Sequence, residues 1–164
     1  MGLETEYRFL LFTPPPVEGV APQAISQGYL STDPDRVVRV RRMGEKAFLT
    51  VKGRKKGATA PEFEYEIPAT DAEALLELCG ENCLTKDRYA LFGPDGRRWD
   101  VDVFTGRHQG LMIAEIEVPG EGTAFARPGW LDGVEITMDV RLGNARLVSM
   151  PGDELEKILA EYRL

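Results

Sequence analysis

Glu62-Phe63-Glu64-Tyr65-Glu66-Ile67 is the stretch on which the fold of this chain turns. Successive side chains of a strand point to opposite faces, so Glu62, Glu64 and Glu66 share one face and Phe63, Tyr65 and Ile67 the other. One face is wholly ionic and its reverse wholly apolar. The same alternation recurs along the chain in both directions. Glu4, Glu6 and Arg8 share a face, with Tyr7 and Phe9 on the reverse. Arg39 and Arg41 back onto Val38 and Val40, and Lys86 with Arg88, Asp100 with Asp102, and Glu115 with Glu117 repeat the arrangement. These polar faces hold few Ser, Thr, Asn or Gln residues, and several carry a single sign.

Alternation alone admits two arrangements. In one, half-buried strands present solvated charged faces, as antiparallel sheets commonly do. In the other, the sheet curls so that the charged faces point inward and make a water-filled channel, with the apolar faces outside against helices. Such a channel has a definite chemistry. Clustered carboxylates without histidine or thiolate are hard oxygen ligands, suited to Mg²⁺ or Mn²⁺. Arginines and lysines aimed at the same space bind phosphate oxygens. Together they are the equipment of phosphoryl transfer, where positioning and charge neutralisation provide most of the catalysis.

Composition narrows the field. The chain has 164 residues, which read as one domain over residues 1–164 with enough length to bury a core. Acids outnumber bases 27 to 20, for a net charge of −7, which argues against a nucleic-acid-coating surface. A single histidine, His108, excludes His-rich zinc sites. Cys79 and Cys83 stand in leucine-rich surroundings and read as buried thiols of a reduced protein. No apolar run approaches the ~18 residues of a membrane span, and the chain opens on Glu4 and Glu6 instead of a signal pattern. The expectation is a cytoplasmic protein with no membrane partner.

Period-two patterns predict strands at residues 4–9, 24–30, 36–42, 47–52, 62–67, 84–92, 97–104, 111–118, 133–139 and 146–149. Thr70-Asp71-Ala72-Glu73 fits a capping box that opens a helix closed by Gly80. Gly93-Pro94-Asp95-Gly96 predicts a hairpin turn. A short helix is expected at 123–126, and a last one over 153–164, with Asp153 as N-cap. Neither a P-loop nor a dinucleotide-binding glycine pattern occurs. Lys52-Gly53-Arg54-Lys55-Lys56-Gly57 is a basic loop, readable as a solvated connection or as a recruiter of polyanions.

An ordered series of segments then resembles one family. Glu4-Thr5-Glu6-Tyr7-Arg8 is similar to the E-x-E-x-K opening of the CYTH domain, the triphosphate tunnel metalloenzymes. Gln27-Gly28-Tyr29-Leu30 resembles the Q-G-Y-L of short bacterial members. Arg39-Val40-Arg41, Thr50-Val51-Lys52, Glu62-Phe63-Glu64-Tyr65, Lys86-Asp87-Arg88-Tyr89, Asp102-Val103-Phe104, Ala114-Glu115-Ile116-Glu117 and Glu135-Ile136-Thr137 follow in the family's order, covering roughly residues 3–151.

The resemblance implies an α+β fold: an eight-stranded antiparallel β-barrel enclosing a charged tunnel, helices outside, and a C-terminal helix near one mouth. It makes Glu4, Glu6, Glu115 and Glu117 the leading metal-site residues, with Glu62, Glu64, Asp102 and Glu135 in or near the same tunnel. It makes Arg8, Arg39, Arg41, Lys52, Lys86 and Arg88 the holders of the triphosphate, and Glu4, Glu6, Arg8, Lys52 and Lys86 the catalytic set. The implied activity is Mg²⁺- or Mn²⁺-dependent hydrolysis of tripolyphosphate or a small organic triphosphate, with a metal-ordered water as nucleophile. The alternatives are a type IV-like adenylate cyclase and a non-catalytic polyphosphate- or nucleotide-binding module. Oligomeric state, homodimer included, stays open.

Three residues depart from the family pattern. Arg8 stands in place of lysine, which keeps the charge but changes reach and hydrogen-bond geometry. Ala60 stands where a phosphate-binding arginine often precedes the E-x-E-Y segment, and Leu142 replaces an aromatic residue after Arg141. These bear on efficiency and substrate identity, not on the fold.

Overall fold

The computed structural model describes residues 2–163. The strands are β1 (Leu3–Leu11), β2 (Gln23–Ser31), β3 (Val37–Met43), β4 (Lys46–Lys52), β5 (Thr59–Ile67), β6 (Cys83–Phe92), β7 (Arg98–Thr105), β8 (Met112–Val118) and β9 (Gly133–Glu135). The helices are α1 (Ala69–Cys79), α2 (Asn144–Leu147) and α3 (Glu154–Tyr162). The sheet runs β5-β4-β3-β2-β6-β7-β8-β1-β9, antiparallel throughout, and β5 also pairs with β1. That last pairing, Leu3 with Pro61, Glu4 with Ala60 and Thr5 with Thr59, closes eight strands into a barrel. The short β9 lies outside the ring, against the far end of β1.

Directly opposed residues of an antiparallel pair project from the same face, so the register carries one face around the barrel. Glu6 lies opposite Glu117 and Arg8 opposite Glu115. Asp100 faces Glu115, and Arg88 faces Asp102. Gln27 pairs with Arg41, Arg39 with Thr50, Thr50 with Glu64 and Lys52 with Glu62. The charged faces all point inward, as in the second of the two arrangements.

Apolar residues pack in three places. Outside β1, β7 and β8, Phe9, Trp99, Val101, Ala114 and Ile116 form a fully buried layer. Phe125 and Trp130 cover it, with ring centroids 5.8 and 5.9 Å from Trp99. Residues 123–126 therefore form an irregular cover and not the expected helix: Phe125 is anchored in the aromatic layer, which fixes the loop without a helical ladder.

On the other flank α1 sets Ala72, Leu75 and Leu76 against Val40, Ala47 and Leu49. It starts earlier than the capping-box pattern placed it. Pro68 is extended (φ −59°, ψ 140°) and its carbonyl accepts from Ala72 N–H at 3.1 Å, so the first turn forms before Thr70 and no side chain caps it. Gly80 closes the helix at φ 61° as expected. Gly28 lets this flank close: a Cβ there would lie 2.8 Å from Cys79 Sγ and 2.9 Å from Cys83 Sγ. Both cysteines are free, and burial pushes the Cys79 thiol up to about 11.

The third cluster seals one end of the barrel. Leu10, Tyr29, Leu84, Phe104 and Ile113 meet Leu142, Leu147 and Val148, and then Leu155, Ile158 and Leu159 of α3. Each fully buried leucine or isoleucine there stabilises by roughly 1.5–3 kcal/mol. This packing overrides the strand reading of 146–149. Leu147 and Val148 are both buried, a contiguous pair that suits a helical turn against a plug and not an alternating strand. The strand expected over 133–139 stops at Glu135, although Ile136 N–H still donates to the Arg8 carbonyl at 2.8 Å. Asp153 precedes α3 without capping it, and Leu164 of the predicted last helix lies outside the described residues.

Candidate functional site

The open part of the interior is a cavity of about 380 Å³. Glu4, Glu6 and Arg8 of β1, Arg39 of β3 and Lys52 of β4 line it, with Ala60 of β5 beside Glu4. Its rim comes from the β2–β3 connection, the β4–β5 connection and the segment from Thr137 to Arg146.

Charge is distributed unevenly around this interior. On β6, β7 and β8 every cation has an anion. Arg88 clamps Asp102 through Nε at 2.8 Å and Nη2 at 2.9 Å and approaches Glu115 at 3.4 Å. Lys86 Nζ lies 2.7 Å from Asp102 Oδ2 and donates to Asn144 Oδ1 at 3.2 Å. Arg8 Nε donates to Glu115 at 2.8 Å, and its Nη1 to the Leu142 carbonyl at 3.0 Å. Two of the three departures from the family pattern thus touch each other. Burial favours neutral forms here, yet Arg8, Lys86 and Arg88 hold the Glu115 carboxyl well below the carboxylate range. Burial pushes Lys86 down to about 8, with Asp102 opposing.

The other charges are less satisfied. Arg41, 8% exposed, has only the neutral Gln27 side-chain carbonyl as hydrogen-bond acceptor among the described residues, at 2.9 Å. Burial and then the neighbouring Arg39 and Arg88 push it down to about 10. Arg39 donates to Thr50 at 3.2 Å and lies 3.4 Å from Glu64. Buried donors Arg8 Nη2 and Arg39 Nε have no acceptor among the described residues. Lys52 lies 3.1 Å from Glu4 and 3.6 Å from Glu62. Glu6 and Glu117 make no ion pair among the described residues. Burial and the nearby Glu115 push the Glu6 carboxyl up to about 7; burial, Glu4 and Glu6 raise that of Glu117.

Glu4, Glu6, Glu115 and Glu117 therefore share the inward face of two adjacent strands, and of these Glu115 is held by arginines. Both oxygens of Asp102 are taken by cations, Glu62 faces Lys52, and Glu64 accepts from Thr50 at 2.9 Å. Glu135 is not brought to this group. Its register partner is the outward-facing Phe9, and it lies 3.6 Å from Arg127 on the outer surface. Its place in the tunnel is corrected by that register: β9 continues the sheet outside the ring.

As a test of fit for a divalent ion, the available ligands are all carboxylate oxygens. Glu6 is raised by burial and by neighbouring carboxylates, and Glu4 shares Lys52 with Glu62. Glu117, which is exposed, is raised in part by Glu4 and Glu6, a repulsion that a cation would relieve. Among the described residues no three of them converge closely enough to chelate one ion. His108 is buried with Nε2 2.9 Å from the Leu147 carbonyl, a structural bond outside the cavity. Sequence reasoning missed Asn144, which reaches Lys86, and Arg146, which lines the cavity; both fell in or beside a segment read as strand. Lys55, which also lines it, belongs to the basic loop read as a solvated connection or a recruiter of polyanions.

Comparisons with known proteins agree with this architecture. The CYTH domain pattern matches residues 3–136. An inorganic triphosphatase of Acetivibrio thermocellus is 42% identical over 158 residues, covering 92% of this chain and 96% of that protein. Another, from Nitrosomonas europaea, is 36% identical over 152 residues, covering 90% and 99%. A crystal structure of an inorganic triphosphatase superposes with a TM-score of 0.65 at 33% identity, covering 90% of this chain and 98% of the other.

Proposed function

This chain belongs to the CYTH domain family, and from that premise we propose that it is a divalent-metal-dependent hydrolase of inorganic tripolyphosphate or a small organic triphosphate. The observation that carries the reading is the set of buried guanidinium donors without acceptors among the described residues, Arg8 Nη2 and Arg39 Nε, beside a cavity of about 380 Å³. A buried donor left unpaired is unfavourable by roughly 1–3 kcal/mol, and an anion carrying many oxygens satisfies several at once. The two curated relatives named as inorganic triphosphatases support the choice of anion.

In this reading Arg8, Arg39 and Arg41 bind phosphate oxygens, with the arginine fork suited to two at a time. Lys52, between Glu4 and Glu62, is the cation able to exchange a carboxylate for a phosphate. Lys86 and Arg88 lie deeper, locked to Asp102, and fix the positive potential at the closed end. Although they do not converge on one point here, Glu4, Glu6 and Glu117 are the residues that would hold Mg²⁺ or Mn²⁺ by drawing together around it. The ion's chemistry would be to neutralise phosphate charge. Water attacks the terminal phosphorus in line, and the P–O bond to the bridging oxygen breaks with its electron pair staying on the departing diphosphate oxygen. The water gives up its proton to solvent or a phosphate oxygen, and the guanidinium groups stabilise charge on the non-bridging oxygens.

Phosphate release from tripolyphosphate with added Mg²⁺ or Mn²⁺, set beside thiamine triphosphate and ATP, tests the proposal. Free phosphate is expected. Cyclic AMP with pyrophosphate from ATP would assign a cyclase, and tight binding without turnover a non-catalytic module.

A further inference from the structure

The β4–β5 connection, residues 53–58, is held on several sides. Gly53 N–H donates to the Pro61 carbonyl at 2.9 Å, and Lys56 and Thr59 exchange backbone bonds of 2.8 and 3.0 Å. Ala58 N–H donates to Glu121 Oε1 at 2.7 Å, its carbonyl accepts from Glu6 N–H at 3.0 Å, and Arg54 pairs with Asp35. This is a fixed ledge on the rim. It presents Lys55, whose Nζ donates to the Thr137 carbonyl at 2.7 Å and has no carboxylate within 4.0 Å among the described residues. From another wall, α2 turns Asn144 inward to Lys86 and presents Arg146, exposed and likewise without an ion pair among the described residues. Lys55 and Arg146 both line the cavity, whereas Lys56, the next cation along the ledge, does not.

We propose that Lys55 and Arg146 form an entrance subsite that captures the incoming polyphosphate anion at the rim, ahead of the arginines inside the barrel. A protein with net charge −7 repels a polyanion at long range. Two uncompensated cations at the mouth reverse that field locally, and a backbone carbonyl is a weak competitor for the Lys55 ammonium when a phosphate arrives. Charges at a rim act mainly on association rate and on salt dependence. The inference rests on the triphosphatase reading for the identity of its anion, but it concerns binding and not turnover.

Calorimetric titration of the full chain with sodium tripolyphosphate, from low to physiological ionic strength, tests it. Lys55→Ala and Arg146→Ala are each expected to weaken binding about fivefold and to flatten its salt dependence. Lys55→Arg should restore both, and Lys56→Ala, which removes the same charge from the same ledge, should behave as wild type. Equal binding by wild type, Lys55→Ala and Arg146→Ala would overturn the subsite. So would an effect of Lys56→Ala as large as that of Lys55→Ala, which would reduce the matter to overall charge. Turnover measured on the same proteins separates the two proposals. Weakened binding in the variants without hydrolysis by wild type retains the subsite and removes the hydrolase. Turnover with indifferent variants does the reverse, and no binding by wild type removes both.

Discussion

Two walls of one barrel interior are built from the same kinds of residue to opposite effect. Along β6, β7 and β8, Lys86, Arg88, Asp102 and Glu115 form a set in which every charge faces its opposite. Arg8 reaches across to join it through Nε, while its Nη2 stays without an acceptor among the described residues. Across β3 and at the outer end of β1, Arg41 has only an amide, and Glu6 has no cation within ion-pairing distance among the described residues. Buried charge without a partner is unfavourable, and it is concentrated at sites whose partner is supplied from outside. In the proposed reading the paired wall fixes the geometry of the tunnel, and the unpaired groups are the ones that meet the substrate.

Asp102→Ala draws that distinction most strongly. It strands Lys86 and Arg88 in a buried setting, and unfolding in urea should show a loss of about 3–5 kcal/mol. A loss below about 1 kcal/mol would mean that the paired wall is not what holds the tunnel. Arg41→Met is the counterpart on the unpaired side. Removing a cation crowded by Arg39 and Arg88 should leave stability unchanged or slightly higher, while kcat/KM falls about 100-fold, near 2.7 kcal/mol of transition-state stabilisation. A stability loss like that of Asp102→Ala would erase the difference between the walls.

Smaller effects refine it. Ala60 faces Glu4 across the β1–β5 seam and lines the cavity, so Ala60→Arg adds a donor to the unpaired surface. Initial rates on tripolyphosphate should rise roughly threefold to tenfold; no change would make this departure from the family incidental. The smallest effect concerns the rim. Arg141, with help from Tyr162 and the Arg141 N–H, holds the Asp139 carboxyl down to about 2. A carboxyl depressed in the folded state contributes stability that is full above its unfolded value near 3.9 and is lost as pH falls towards about 2. Acid unfolding of Asp139→Asn should therefore be flatter than wild type across that window.

Much of this was legible in the alternation of charge. Glu4-x-Glu6-x-Arg8 and Arg39-x-Arg41 announced shared ionic faces, because strand period alone determines which residues share a side, while the choice between a solvated and an inward face came from the family resemblance. Pairing was not legible. That Arg8 meets Glu115 while Arg41 meets only Gln27 depends on register between strands far apart in sequence, and β6 lies between β2 and β7 through a connection that no local pattern specifies. Glu135 was misplaced for the same reason, since a three-residue strand has no alternation long enough to reveal that it sits against Phe9 outside the ring. Arg146 was hidden because the tertiary plug, and not local propensity, turns residues 144–147 into a helix.

The central claim is that the unpaired charges of the barrel interior meet a metal-bound triphosphate. Phosphate release from tripolyphosphate by the purified protein, measured with and without added Mg²⁺ or Mn²⁺, meets that claim head on. The account predicts release that requires the added ion and is lost in Arg41→Met while the variant stays folded. No release with either ion, or release indifferent to both the ion and Arg41, would contradict it.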